Sequence, residues 1–486
     1  ATPLSQASAL ACGVAIKRRH LRLQMGPGHQ LFKVSQEAIS ASLLFLAGIF
    51  EFGEGLLHAR NAHGEGGWLK ELSVPRVGTV GYFCSASLSL FSRLIKQWHE
   101  ACSSSAHTSK PGKFNVDTLL AQLADDTNDT FYTVDPRWIT RNAQQFSGCF
   151  PGTVLYAMKA NPLEQVLEAL SQGGINHFDV ASLAEVQTVH NTLPNAVQYL
   201  MNPVKSRHCL HEAYYRYGVR SFVLDSEEEL LKLRDVLPER DSTISLFVRY
   251  APSESTAVYD LRGKFGASPV LATQLVHQVA SSTDWSLGLS FHVGSQALED
   301  GPWLAALNDA DAIVRDTAEH VRHLDIGGGF PGNYLNSMGN TPDLVGRVCD
   351  HIQTSPTLKD LNLICEAGRG LVYGGMSLFA RVLSRREQSV FCGAGIFGGL
   401  LSAQQWLQFP ARVWRDGNPY TGAAENTFNI FGPTCDSMDR LAFPYSLASD
   451  IRESDWLEFQ STGAYSVSLR TPFNGFYADR IISLPS

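Results

Sequence analysis

The chain has few of the features that would betray crosslinks, zinc, nucleic acid or a membrane. Its nine cysteines include no Cys-x-x-Cys pair and stand at irregular spacings, which excludes a disulfide framework and a zinc site. A reducing, cytoplasmic setting is the expectation, with no metal. Positive charge is scarce: 39 Lys and Arg against 47 Asp and Glu leave a formal charge of -8. A broad nucleic-acid surface is therefore not expected, and the one basic cluster, Lys17 to Arg22, reads as a solvated arm. No apolar run is long enough to span a bilayer core of about 30 Å. The longest, Ile39 to Phe50, is broken by small and polar residues. It lies too far along the chain for a secretion signal and reads as a core-facing helix. Internal repeats, heptads and Walker spacing are missing as well.

What is present is an ordinary globular composition, 44% hydrophobic and 18% charged over 486 residues, more than one core usually holds. Residues 1–100 read as a helical extension, with apolar spacing through Leu43, Leu44, Phe50, Leu56 and Leu57. Residues 101–113, rich in serine and ending in Lys110-Pro-Gly, read as a linker. Residues 114–136 are expected to supply a strand to a β domain. Eight short runs then alternate with helix-like stretches: Gly152–Tyr156, His177–Val180, Val197–Leu200, Ser221–Leu224, Ser245–Arg249, Gly288–Val293, His323–Ile326 and Asn362–Cys365. Eight such units over 137–373 predict a closed (β/α)8 barrel of parallel strands. Polar groups then gather at the strand C-termini, where barrel enzymes keep their active sites. Residues 374–486 change to short alternating segments punctuated by Gly and Pro and predict a mostly antiparallel β domain.

Four places carry chemistry. Lys159 ends the apolar run Thr153 to Met158, where burial is expected to lower its pKa toward imine chemistry; the alternative is a lysine that snorkels outward. Gly327, Gly328 and Gly329 follow a strand, so backbone amides could approach a phosphate there, although a bare triple glycine is equally a flexible turn. Cys365-Glu366-Ala-Gly368-Arg369 sets an acid and a guanidinium at another strand end. Either they form a local ion pair, or Glu366 faces a heterocyclic nitrogen and Arg369 a phosphate. Further on, Gly432-Pro-Thr-Cys435-Asp436-Ser-Met-Asp439 puts a thiol beside two carboxylates. An aldehyde, a phosphate and a pyridine nitrogen satisfy these separate demands, and pyridoxal phosphate combines all three.

From about Phe114 onward the chain resembles the ornithine/lysine/arginine decarboxylases of the alanine racemase-like fold, the eukaryotic-type ornithine decarboxylases above all. The resemblance rests on Tyr156-Ala-Met-Lys159, Phe178-Asp179-Val-Ala-Ser, Lys264-Phe-Gly266, His292-Val-Gly-Ser295, Gly327 to Gly329, Glu366-Ala-Gly-Arg369, Gly432 to Asp436, Gly463-Ala-Tyr465 and Phe473-Asn-Gly-Phe476. It implies a decarboxylase of a basic or ω-substituted amino acid in polyamine biosynthesis, with Lys159 bound to the cofactor aldehyde, Glu366 on its ring nitrogen and His292 stacked on its ring. Gly327 to Gly329, Ser295, Gly368, Arg369 and Tyr465 would hold the phosphate, and Asp179 and Arg249 would complete the pocket beside Lys264. Cys435 would donate the proton that replaces carbon dioxide. Because this loop serves the neighbouring subunit in the family, a homodimer with shared sites is implied, and Asp436, Asp439 and Phe473 would meet the substrate.

One departure stands out. The family carries an acid after a Gly-x-Phe/Tyr-Gly motif to hold the substrate's far ammonium, yet Cys392 to Phe409 contains no Asp or Glu. Two readings remain open. Asp436 or Asp439 could serve instead, or the far end of the substrate is neutral or acylated and meets Ser402, Gln404 or Gln405. A catalytically silent regulatory homologue is the third class, disfavoured by the retained Lys159, His292, Glu366, Arg369 and Cys435. Ala367, where relatives usually have proline, removes no chemical group.

Overall fold

The structure is a computed structural model that describes residues 129–485 apart from 254–262 and 318–319. The expected helical extension and linker, with Lys17 to Arg22 and Ile39 to Phe50, lie outside the described residues.

The eight expected parallel strands form and close on one another. They are β2 (Thr153–Ala157), β3 (His177–Val180), β4 (Val197–Leu200), β5 (Ser221–Leu224), β6 (Ser245–Arg249), β7 (Ser286–Ser290), β8 (Val321–Asp325) and β9 (Asn362–Ala367), and the parallel β2–β9 pairing completes the ring. Period two decides which side chains fill the barrel. Leu155 points inward to join Met201, Val223, Phe247 and Ile364 in a lumen cluster, while its neighbours Val154 and Tyr156 belong to the outer core under the helices. Both faces are covered, so the strands read as nearly continuous apolar runs.

The intervening helices start with local caps. Ser182, Ser226 and Ser268 accept hydrogen bonds from the backbone N–H of Glu185, Glu229 and Leu271, the geometry that satisfies otherwise orphaned donors. The first barrel helix, Pro136–Cys149, has Asp135 as its cap and proline in its first turn, and it buries Ile139, Ala143 and Phe146 along one stripe. At the rim between β4 and β5, buried Lys205 lies 3.0 Å from Glu229, which also pairs with Lys232. Burial drives the Lys205 amine down to about 8 against the pull of Glu229.

The second domain is a sheet built from both sides of the barrel segment. β1 (Thr130–Val134) precedes the barrel and pairs antiparallel with β10 (Met376–Arg386), which comes after it. The sheet continues through β11 (Ser389–Cys392), β12 (Ala411–Arg415), β13 (Asn418–Tyr420), β14 (Glu425–Phe431), β15 (Tyr445–Ala448), β16 (Trp456–Phe459) and β17 (Ile481–Ser483) in the order β13-β12-β16-β10-β11-β14-β15; β1 pairs with β10, and β17 pairs with β1. The sheet is mostly antiparallel, as expected, and its parallel exceptions are β11–β14 and β1–β17. Each joins segments separated by long excursions, so no hairpin dictates their direction, and the sheet is mixed. Among the described residues no helix is long and apolar enough to cross a membrane.

Candidate active site

At the C-terminal mouth of the barrel, Lys159 sits in the short 3-10 turn Met158–Ala160 directly after β2. Asp179, on the neighbouring β3, faces it with Nζ and Oδ2 3.3 Å apart. Contrary to the sequence expectation, the amine is held well above the usual lysine range, because attraction to Asp179 outweighs the burial that would lower it. The pair is asymmetric: 45% of the lysine side chain is exposed but only 5% of the aspartate. An incoming aldehyde can therefore reach the amine while its counter-ion stays fixed.

Across the ring, β9 lies beside β2 with Glu366 opposite Leu155. Glu366 is buried, and its carboxyl is pushed well above the usual range by burial first, then by Asp325 and Asp179. His292 comes just after β7, and burial, helped by Lys159 and Arg249, holds it well below the usual histidine range. The imidazole is thus neutral at pH 7. Its Nδ1 accepts the Gly294 N–H at 3.1 Å, so its proton sits on Nε2. Arg249, the last residue of β6, leans over the Phe265 ring at 5.8 Å, and Lys264 does so at 4.9 Å.

The end expected to hold an anion is built from the glycine run after β8 together with the segments at the C-terminal ends of β7 and β9. Gly327 and Gly329 have φ of +65° and +116°, values that penalise any side chain. A Cβ at Gly327 would stand 2.0 Å from the Phe291 carbonyl oxygen, and one at Gly328 would stand 2.6 Å from that of Glu366 and 3.0 Å from His292 Nε2. Only glycine leaves this cradle open. Arg369, buried after β9, donates to the Tyr334 hydroxyl at 3.0 Å and reaches Ser295 Oγ at 3.5 Å. Its guanidinium lies 4.7 Å from the centroid of Tyr465. Tyr465 itself is held at φ +56° with its N–H on the Ala160 carbonyl at 2.8 Å, a left-handed conformation that costs about 1–2 kcal/mol in a non-glycine residue. A Cβ at Gly368 would meet the Tyr465 hydroxyl at 3.6 Å.

The substrate candidates fall elsewhere. Cys435 is exposed, on the loop after β14, and its N–H donates to Asn474 Oδ1 at 3.0 Å. Asp436 accepts from Met438 N–H at 2.8 Å. Asp439, expected beside the substrate, has a buried carboxylate that accepts from Ile396 N–H at 2.8 Å, Thr434 N–H at 3.1 Å and Thr434 Oγ1 at 2.8 Å. Those donors engage both of its oxygens, so it is the staple of this loop. Phe473 is 41% exposed and packs on Phe397 at 4.9 Å. Ser402 is buried. Gln404, together with Gln405, lines a cavity of about 520 Å³ with Asn429, Phe431, Met438 and Arg440, and none of the barrel-mouth residues lines it. Sequence reasoning missed Asp325, Tyr334 and Asn474. Asp325 stands two residues before the glycine run, which was the available signal; Tyr334 and Asn474 are recognisable only through their partners.

An amine paired with a fixed carboxylate, an open glycine cradle and a buried acid at the C-terminal ends of the barrel strands suit amine and aldehyde chemistry. Residues 137–373 match the family described as "Pyridoxal-dependent decarboxylase, pyridoxal binding domain", and residues 334–463 match "Pyridoxal-dependent decarboxylase, C-terminal sheet domain". The chain belongs to the pyridoxal phosphate-dependent decarboxylases; it is a lyase and its cofactor is pyridoxal phosphate. It is similar to decarboxylase flvG of Aspergillus flavus, 30% identical over 382 residues that cover 73% of this chain and 85% of that one. The lysine/ornithine decarboxylase of Selenomonas ruminantium is 32% identical over 335 residues, 67% of this chain and 81% of that one. Among solved structures, lysine/ornithine decarboxylase from Vibrio vulnificus complexed with putrescine is 25% identical with a TM-score of 0.64, covering 76% of this chain and 98% of that one. The residues present fit the cofactor: a reachable amine, a cradle that any Cβ would fill, a buried guanidinium and a buried acid.

Proposed function

We propose that this protein decarboxylates a basic L-amino acid of the ornithine or lysine kind, releasing carbon dioxide and an amine, as a cytoplasmic enzyme of polyamine-type metabolism. The observation that carries the reading is the Lys159–Asp179 pair facing the buried Glu366 over the glycine cradle. When bound, pyridoxal phosphate supplies an aldehyde for the amine and a ring that accepts the electron pair left as carbon dioxide departs. Lys159 would hold the aldehyde end, and Asp179 keeps the opposing charge at Nζ. Gly327 to Gly329, Ser295, Gly368, Arg369 and Tyr465 would hold the phosphate. Glu366 would face the ring nitrogen, and neutral His292 would pack on the ring. Arg249 adds positive charge to the wall. Cys435 delivers the proton that takes the place of carbon dioxide.

Cys435 is exposed on its own chain, and a proton donor must reach the reacting carbon. We therefore assign it to the site of a second copy, which makes the working unit a homodimer with shared sites. Asp436 comes with it and supplies the carboxylate for the substrate's far ammonium, and Phe473, on the turn tied to this loop through Asn474, lines the same approach. A second reading has a specific observation in its favour. Residues 392–409 contain no acid and the Asp439 carboxylate is already engaged by the loop's own donors, so a neutral or acylated far end would leave no charge to be matched. An ammonium without a counter-ion in a closed pocket costs several kcal/mol.

The test is carbon dioxide release by the purified protein with added pyridoxal phosphate, across ornithine, lysine, arginine, diaminopimelate and ω-acylated analogues. Preference for ornithine or lysine is expected. Turnover confined to acylated substrates transfers the conclusion to the second reading, and release from none overturns both.

A further inference from the structure

Next to Ser295 in the chain stands a fully buried carboxamide, Gln296, whose main chain holds φ +58°. A left-handed conformation in a non-glycine residue persists only where its surroundings fix it, and this side chain is fixed at three points. Its Nε2 donates to the Gly332 carbonyl at 2.7 Å and to Ser337 Oγ at 3.0 Å, and its Oε1 accepts the Gly332 N–H at 3.0 Å. Gly332 and Ser337 are buried as well. The carboxamide thus pairs with both polar groups of Gly332, as a residue on a neighbouring antiparallel strand would.

Both segments joined by this clamp lead to Arg369. On one side, Ser295 precedes Gln296 and its Oγ lies 3.5 Å from the guanidinium. On the other, Gly332 ends the stretch that begins with the glycine run, and Tyr334 follows two residues later with its hydroxyl 3.0 Å from the same guanidinium. Tyr334 and Ser337 exchange N–H to carbonyl bonds at 2.9 and 3.1 Å, and the Ala297 N–H binds the Gly329 carbonyl at 3.0 Å. A ring closes from Arg369 through Ser295 to Gln296, across the carboxamide to Gly332 and Ser337, and back through Tyr334.

We propose that Gln296 is a positioning residue for the cofactor phosphate, which fixes the spacing between the glycine run and Arg369 by acting through Ser295, Gly332 and Tyr334. This rests on the reading that the cradle and Arg369 hold that phosphate. Groups already held in place bind an anion more tightly than groups that must be gathered around it. The chemistry of the clamp also singles out a carboxamide. An apolar side chain would leave the Gly332 donor and acceptor unpaired. A carboxylate cannot donate to the Gly332 carbonyl, and it would set a negative charge beside a place expected to take an anion.

The test compares two ligands that differ only in the phosphate. Equilibrium dialysis against the full-length apoenzyme measures affinity for pyridoxal phosphate and for pyridoxal, and competition against pyridoxal phosphate measures that of inorganic phosphate. Gln296→Met removes the donor and the acceptor at nearly constant volume. Q296M should bind pyridoxal phosphate and inorganic phosphate about tenfold more weakly, the scale of an unpaired buried group, with pyridoxal within about twofold of wild type. Equal weakening of all three ligands marks a general structural role and overturns the proposal, as does unchanged binding of the two phosphate ligands. If Q296M does not fold, Ser337→Ala decides, because it removes one of the three contacts. A loss of about threefold for the two phosphate ligands alone is then expected, and any other pattern overturns the proposal. Arg369→Met judges the underlying reading separately. If R369M keeps the wild-type ratio of the two cofactor affinities, the assignment of the phosphate to Arg369 fails; if R369M lowers that ratio and Q296M does not, the positioning role alone fails.

Discussion

At the scale of single residues, the site works by setting charges against burial. Lys159 stays cationic because Asp179 is near, although burial acts against it. His292 stays neutral because burial and two neighbouring cations agree. The same pocket therefore holds opposite protonation states at neutral pH, which is what a site that must bind an anion and leave a ring face uncharged requires. Cys435 is the residue whose role can be isolated most cleanly. Its replacement by alanine should leave pyridoxal phosphate binding unchanged and lower kcat about 100-fold, the scale of a lost general acid. Because the proton then arrives at the wrong carbon, part of the turnover should end as an aldehyde and the amine form of the cofactor. Product analysis by mass spectrometry checks this, and normal amine at the normal rate would remove Cys435 as the donor.

At the scale of elements, loops are tied down by single side chains. The loop from Gly432 to Asp439 is pinned by the Asp439 carboxylate to Ile396 and Thr434, and by Asn474 to the turn that carries Phe473. Gly395 and Gly432 leave room for that carboxylate: a Cβ at Gly432 would stand 2.3 Å from it. Asp439→Ala leaves the buried Ile396 N–H and the half-buried Thr434 N–H without their acceptor, a loss of about 2 kcal/mol. It should lower kcat while cofactor affinity stays as in wild type, since no cradle residue depends on it. Urea denaturation and fluorescence titration of the variant measure the two effects separately. The helix caps Ser182, Ser226 and Ser268 are a second example, each a short-range feature visible as a serine three residues before its donor.

At the scale of the whole molecule, the chain enters the sheet through β1, builds the barrel, and returns to the sheet through β10. This routing carries the Cys435 loop on the sheet domain and Lys159 on the barrel. If the working unit is a homodimer with shared sites, two inactive variants should complement each other. Equal amounts of Lys159→Ala and Cys435→Ala, allowed to exchange subunits, should regain about a quarter of wild-type activity, since half of the dimers then hold one intact site. Mixtures that stay at the level of the separate variants would place both residues in one chain's site.

Much of this was legible in the sequence, for physical reasons that differ by element. The barrel strands were visible because burial on both faces demands short β-branched and apolar runs, and the alternation of Leu155 with Val154 and Tyr156 comes from pleating alone. The glycine cradle was visible because positive φ and a close carbonyl leave no alternative residue at Gly327. What only the tertiary structure decided involves competition between groups distant in the chain. Lysine chemistry by itself suggested a lowered pKa for Lys159; the approach of Asp179, 20 residues away, reversed it. Asp439 offers a carboxylate in sequence; the fold brings to it the N–H of Ile396, 43 residues before it. The parallel pairings of β11 with β14 and β1 with β17 have no local signal, because strand direction across a long connection is set by the packing of the finished sheet. Local pattern determined which elements form and which residue types are available. Three-dimensional proximity determined their charge and what each is free to do, because Coulomb forces and hydrogen bonds act through space and take no account of sequence separation.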